Sequence, residues 1–571
     1  MAPMRPRAWL IASLVALAAL AIVAPSIPAA TWTEHFTHSL RTERLGHVAP
    51  STEAAGRLVR VAWPLLAIAL AALVVLLDRL SPNAPAPVNV PPARTRVDLW
   101  TLAALIVVAA IVRAPRMIES LWFDEIATLL DYAQFGPGPI VANAFTQANH
   151  TFHTLLTWLS MTAFGGVDEL ILRVPAFIAS IATVPAMWWL ARETMPQRRV
   201  VATLAAATVA IMPVVVLSGV EARGYSMMIL FAALSIAALL RARRTGRPID
   251  FALYALCAAL GVWAHLVTVC LPLAHGAVAL WWLRDSNTRR VGIATSLALG
   301  IAALLTLVLI MPMVPDMLAM RREYLALDGD EPTVWGAEGV HALLQLGGAW
   351  VWWAALPGLA LAAAGTATLS RTAAGRVVLV SALLGGAIAV TLTTVGNSWL
   401  YARFLLFMVP TAALAMAVGI DRIRESRAAT PGNSGMAAGM ATAAAAFVVA
   451  GAWLTDLALR PPKQPLRDAV AVVAAARQPH QRVATIGLPD NVIAYYGQSH
   501  DLEIHPTGPL GIALGPALAT IRPHWMIVLY PRSIPRERIE LLRAAGFTEH
   551  TRLAGWADWG NGEVVIWHRA E

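Results

Sequence analysis

Thirteen apolar stretches alternate with short, often arginine-bearing loops along most of this chain, and that recurrence restricts the fold more than any single motif. A helix rises 1.5 Å per residue, so ~20 apolar residues cross the ~30 Å hydrocarbon layer of a membrane. Helices pair their own backbone groups there, which irregular chain cannot do. With 58% hydrophobic and 13% charged residues among 571, a soluble globular chain is excluded. The expected fold class is a polytopic α-helical membrane protein of about 13 transmembrane helices, with a small C-terminal α/β extracytoplasmic domain.

The N-terminal run through Pro25 follows Arg5 and Arg7 and resembles a signal peptide. SIPAATW offers a poor small-x-small cleavage site, so an uncleaved anchor is expected. A polar loop (31–60) leads to a second span near 61–78, and SPNAPAPVNVPPARTR reads as an extended Pro-rich linker. Further spans are expected near 98–114, 168–191, 199–217, 225–240, 250–270, 271–283, 291–313, 346–369, 377–395, 401–420 and 437–455, with a boundary placed at Leu271–Pro272. Residues 115–167 suggest amphipathic helices lying in the membrane interface. After 456 the pattern changes: RVATIGL, WMIVLY and EVVIWHR read as strands, and PLRDAVAVVAAARQ, NVIAYYG and RERIELLRAAGF as helices. The chain therefore divides into an extension with two transmembrane helices and a linker (1–97), a membrane domain (98–455) and an α/β domain (456–571).

The net charge of +9 does not form a nucleic-acid patch. Arg192/Arg198/Arg199, Arg241/Arg243/Arg244/Arg247, Arg284/Arg289/Arg290, Arg371/Arg376 and Arg422/Arg424/Arg427 fill every second gap between spans, which the positive-inside bias assigns to the cytoplasm. The other gaps hold Asp124–Glu125, VEARGY, the acidic stretch 322–332 and NSWLYAR, and should face outward. Parity over thirteen spans puts the C-terminus there too. Cys257 and Cys270, if on one helix, lie ~20 Å apart, beyond disulfide reach.

Chemistry concentrates in the outward gaps. Asp124 and Glu125 in LWFDEIATLL sit just beyond a span, where charge is costly, and adjacent helical side chains diverge by about 100°. One should act, as a general base, while the other caps or pairs. In SGVEARGYSMM, Glu221, Arg223 and Tyr225 alternate, with Gly224 allowing a tight bend; Arg223 suits a phosphate, Glu221 a sugar hydroxyl or an internal ion pair with Arg223. Tyr401 and Arg403 begin a span, and Arg173 lies near the outer end of another, each a candidate for an anionic partner or for snorkelling. His265 could hydrogen-bond a phosphate or serve as a core histidine. His150 and His153 lie three apart, on one face if helical. With Asp124 and Glu125 they admit a divalent metal site, although interfacial contacts or acceptor binding fit better, and no cofactor is expected.

In order, LWFDE, NHTFHTLL, ELILRVPAFIAS, VEARGYSMMILFAALS, HLVTVCLPLAH and YARFLLFMVP resemble the GT-C superfamily of membrane glycosyltransferases. Within it they are similar to family 39, the dolichyl-phosphate-mannose protein mannosyltransferase-like set, and to the lipid A aminoarabinose transferases, over about 98–420. The resemblance implies transfer of a hexose or pentose from a polyprenyl-phosphate-linked donor to an acceptor hydroxyl on the outer face, with inversion. It maps the first-loop acidic residue onto Asp124 and the second acidic position onto Glu221; Arg223, Arg403 and His265 are candidates for donor phosphate. Two extra spans precede the usual first one, and His150–Thr151–Phe152 replaces a Pro-containing turn, which leaves the acceptor (lipid, glycan or protein) open. Such an enzyme would reside in the cell (inner) membrane, multi-pass, with its site and C-terminal domain outside, in contact with membrane lipids and no nucleic acid. The rival is a transporter or flippase of lipid-linked sugars, but transporters place polar groups near the bilayer midplane, whereas the ionisable residues here cluster at span ends.

Overall fold

The computed structural model describes residues 8–82, 91–146, 148–324, 336–396, 400–428, 435–488, 490–557 and 561–570. Most of the acidic stretch 322–332, half of the Pro-rich linker and the start of NSWLYAR lie outside the described residues. The fold is polytopic and α-helical, with a small C-terminal sheet domain. Eleven described helices are long and apolar enough to cross a membrane. Two of the thirteen expected spans are shorter helices, Arg199–Ile211 and Pro248–Ala264.

A proline explains the first departure and an extended histidine with a 3-10 turn marks the second. Pro213 has no N–H to donate and pushes Met212 to an extended φ/ψ of −60°/117°, so the helix stops at Ile211 and restarts as Pro213–Ser218. Near 271 the expected boundary is wrong by six residues. His265 is extended (φ −159°), Leu266–Val269 is a 3-10 turn, and the next helix is Cys270–Arg284. Pro272 falls in that helix's first turn, where no intrahelical donor is needed, so it starts a helix rather than ending one. Cys257 and Cys270 consequently sit on different helices, both free and buried. The segment expected as a polar loop is also helical: Ala29–Phe36, Ser39–Leu45 and the first turns of Pro50–Leu80.

The chain forms two compact units. The larger comprises Met1–Ala114, Tyr132–Gly165 and Leu172–Leu457 and holds the helix bundle. Its arginine-rich helix ends gather together: Arg244 pairs with Glu193 at 2.9 Å and Arg198 with Asp421 at 3.0 Å.

The smaller unit joins Ala458–Glu571 to two pieces of chain from elsewhere, Pro115–Asp131 and Gly166–Ile171. Its sheet has the order β2-β1-β3-β5-β4, with β1 Val483–Gly487, β2 Ile504–Pro509, β3 Trp525–Leu529, β4 Thr548–Leu553 and β5 Val564–His568. β1 pairs parallel with β2 and β3; β5 pairs antiparallel with β3 and β4. The three strands read from sequence are the central ones, buried on both faces and therefore continuously apolar. The two unread strands, IHPTGP and TEHTRL, are the edges, where proline and charge are tolerated and disguise the strand pattern.

Candidate active site

The larger unit brings six of the candidate residues into one cluster. His150 caps the helix Thr151–Phe164 from outside it (φ −93°, ψ 78°), so it does not share a helical face with His153 as expected. Its imidazole takes the Gly224 backbone N–H on Nδ1 at 3.0 Å. On the other side, Arg223 Nη2 lies 2.9 Å from His150 Nε2, while Arg223 Nη1 donates to the Ala148 carbonyl at 2.7 Å. Tyr225 packs edge-on to His150 with centroids 5.1 Å apart, and His265 contacts both rings at 4.9 and 5.6 Å. Phe404 links His265 (5.1 Å) to Tyr401 (5.5 Å), and the Arg403 guanidinium lies 4.2 Å over the Tyr401 ring.

Each element has a local reason to end here. The loop after Ser218 turns tightly, with the Arg223 N–H donating to the Glu221 carbonyl at 2.7 Å, before the helix Tyr225–Thr245 starts. Gly224 is needed for close approach rather than for an unusual bend. Its φ is an ordinary −73°, but a Cβ there would collide with the Ala264 carbonyl and come 2.8 Å from His150 Nδ1. His265 points in from the break between two helices, and the Tyr401–Arg403 turn is gripped at Ala402. The Ala402 N–H donates to Glu338 at 2.6 Å and its carbonyl accepts from Gln345 Nε2 at 2.7 Å.

Burial sets the electrostatics. Desolvation first, and the Arg223 charge second, hold the His150 imidazole well below its ordinary range, so the ring is neutral. The Gly224 N–H and the Arg223 guanidinium thus converge on a ring that has one acceptor nitrogen when neutral, so one donor is in excess. An anionic oxygen accepting from that donor would satisfy the arrangement. His265 Nδ1, Ser226 Oγ and Thr268 Oγ1 are further buried polar atoms without a hydrogen-bond partner among the described residues. His153 is buried beside this cluster's loop, its Nδ1 3.3 Å from Thr157 Oγ1. Among the described residues, no group of three or more His, Cys, Asp or Glu side chains is placed to hold a metal ion.

The other candidates are placed as follows. Glu221 and Arg173 are buried in the larger unit, 6% and 3% exposed. Asp124 and Glu125 belong to the smaller unit, in the first turn of Phe123–Asp131. Glu125 is 1% exposed and its Oε2 accepts the Trp122 N–H at 3.1 Å, a capping role. Asp124 is half-buried. The C-terminal domain fixes this turn: Tyr496 Oη accepts the Leu121 N–H at 2.7 Å, and Gln464 Oε1 the Phe123 N–H at 3.1 Å. Lys463, the chain's single lysine, stands 3.5 Å over the Trp122 ring.

Sequence reasoning missed Arg113, which is fully buried. Its guanidinium donates to Ser180 Oγ (2.8 Å) and to the Ala109, Ala210 and Val209 carbonyls (2.9, 2.7 and 3.2 Å). The last two carbonyls lose their helical donors at the Met212–Pro213 break. An arginine closing a span, paired with a proline inside another, was the available signal.

A family model described as dolichyl-phosphate-mannose-protein mannosyltransferase matches residues 151–315. No curated protein sequence matches the chain. Among solved structures, ArnT from Cupriavidus metallidurans in the apo state is similar at 12% identity, covering 82% of this chain and 97% of that one, with a TM-score of 0.51. The same protein bound to undecaprenyl phosphate is similar at 13% identity, 84% and 99% coverage and a TM-score of 0.50. The archaeal oligosaccharyltransferase AglB from Archaeoglobus fulgidus, in complex with an inhibitory peptide and a dolichol-phosphate, is similar at 11% identity, with 76% and 69% coverage and a TM-score of 0.51. The chain thus has, over most of its length, the fold of these GT-C glycosyltransferases, and its residues 151–315 match the mannosyltransferase family model.

Proposed function

We propose that this enzyme moves a sugar from a polyprenyl-phosphate-linked donor to an acceptor hydroxyl on the outer face of the cell membrane, inverting the anomeric centre. The observation that carries the reading is the convergence of the Arg223 guanidinium, 2.9 Å from His150 Nε2, and the Gly224 N–H on one neutral imidazole, which leaves a donor in excess in a buried setting. That arrangement suits a phosphate oxygen, which accepts from that donor. Arg403, Tyr401 and His265 extend the same polar surface, and undecaprenyl phosphate bound to the structurally similar ArnT supports a polyprenyl phosphate ligand.

Asp124 is the base. Its neighbour Glu125 accepts the Trp122 N–H, and Asp124 is the acidic residue of the LWFDE motif that the resemblance aligns with the family's first-loop carboxylate. The acceptor oxygen attacks the anomeric carbon as Asp124 takes its proton. The bond from that carbon to the phosphate oxygen breaks, and polyprenyl phosphate departs with the electron pair. The leaving group is already an anion, so it needs positive charge rather than a general acid. Glu221 holds a sugar hydroxyl, and Arg173 adds positive charge in the same membrane domain.

The sidedness rests on charge. Arg198, Arg241 and Arg244 lie at the ends of their helices opposite Arg223, His265 and Arg403, and the positive-inside bias assigns those arginine-rich ends to the cytoplasm. The site and the C-terminal domain are then outside.

The test is mass spectrometry of polyprenyl-phosphate sugars in cells lacking the protein, complemented with wild type or Asp124→Asn. One lipid-linked sugar should accumulate in the null and the variant and clear with wild type. An unchanged pool in all three strains would overturn the donor class.

A further inference from the structure

The helices of the N-terminal extension precede the family match and the residues that resemble family 39, yet they hold part of the site's backbone. The helix Ser39–Leu45 directs Arg41 onto Asp316, with which it forms an ion pair, and Arg41 Nη1 also donates to Asn143 Oδ1 at 3.3 Å. Asp316 is 1% exposed and fully engaged: Oδ1 also accepts from Ser51 Oγ at 2.7 Å, and Oδ2 accepts the Ala144 N–H at 2.6 Å. Asn143, completely buried, donates back to the Phe36 carbonyl at 3.0 Å. His38 packs against Phe135 (4.1 Å) and Phe145 (5.0 Å), and a side chain at Gly138 would collide with the His35 carbonyl. Beyond this grip, Asn149 Nδ2 donates to the Ile140 and Asn143 carbonyls, both at 2.8 Å, and leads into His150.

The segment is thus held at both ends. Arg41, Ser51 and Asp316 fix Asn143 and Ala144; Arg223 and Gly224 hold Ala148 and His150. A carboxylate with three donors in a buried setting is a strong, directional anchor. We propose that the N-terminal extension is a positioning element of the donor site, in which Arg41 and Asp316 fix Asn143 and Ala144, and through the Asn149 contacts with Asn143 and Ile140 the orientation of His150 toward Arg223. This rests on the reading of Arg223 and His150 as donor-phosphate contacts. None of Arg41, Ser51 or Asp316 is a catalytic residue; each acts through His150.

The experiment uses the full chain in detergent, with undecaprenyl phosphate as probe and two readouts: hydrogen–deuterium exchange in peptides covering 139–153, and the probe's Kd. Arg41→Gln should speed exchange in those peptides and weaken the probe about tenfold, in the range seen for loss of a partly buried ion-pair partner. Arg41→Lys should restore part of both, because the charge is kept. Glu53→Gln, which removes an exposed ion pair with Arg57 in the same extension, should change neither. Unchanged exchange in Arg41→Gln overturns the proposal. So does faster exchange with an unmoved Kd while Arg223→Ala loses the probe. If wild type does not bind the probe, the donor reading falls, and the exchange readout alone decides whether the extension fixes this segment.

Discussion

Gln464 Oε1 accepts the backbone N–H of Phe123 at 3.1 Å across 341 positions of sequence. The C-terminal domain is therefore part of the scaffold under the LWFDE turn, one residue before Asp124. Tyr496 adds a second hold, accepting the Leu121 N–H while donating to Glu169 at 2.9 Å. Gln464→Leu leaves the half-buried Phe123 N–H without its side-chain acceptor, a loss of about 1 kcal/mol. Exchange at 119–125 should accelerate and kcat for sugar transfer should fall several-fold. Unchanged exchange would show that the turn holds itself.

Asp124 and Glu125 should separate by what each substitution damages. Asp124→Asn removes a base at nearly constant shape, so transfer should drop by about 10²–10⁴-fold with Tm unchanged. Glu125→Gln weakens the buried cap on Trp122, so Tm should fall, with a smaller loss of rate. Wild-type transfer by purified Asp124→Asn would remove the base assignment.

Gly224→Ala tests close approach. The added methyl meets the Ala264 carbonyl and His150 Nδ1, groups held by the helix end and by the ring's own hydrogen bond. Overpacking of this kind costs roughly 1–3 kcal/mol. Binding of undecaprenyl phosphate should weaken at least as much as in His150→Ala, because the methyl displaces the ring and the Arg223 loop together. Equal affinity for wild type and Gly224→Ala would mean the ring is not needed where it stands.

How much was legible follows the same physics. Apolar length announced eleven of the spans, and apolar continuity announced the three central strands. Arg223, Tyr225, His265, Tyr401 and Arg403 were legible because charge and imidazole are costly at a membrane boundary and stand out there. Arg113 and Asp316 did not stand out, since each lies at the end of an apolar run where topology alone accounts for a charge. Their partners are up to 275 positions away, and only folding brings them together. The edge strands were hidden by Pro506, Pro509 and the charges of TEHTRL, residues that an edge tolerates and a central strand would not.

The buried imidazoles make stability depend on pH in a stated direction. Desolvation, with the Arg223 charge as a lesser cause, pushes His153 from an ordinary 6.5 down to about 3. Between those values the unfolded chain binds a proton that the folded chain does not, so stability rises with pH across the window and is complete above about 6.5. The Tm of the detergent-solubilised protein should therefore fall as pH is lowered from 6.5 toward 3. His153→Gln keeps a polar side chain near Thr157 without the titration, so its Tm curve should be flatter over that interval, even where its Tm at pH 7.5 is lower. Parallel curves for wild type and His153→Gln would show that His153 is hydrated in solution and does not carry this dependence.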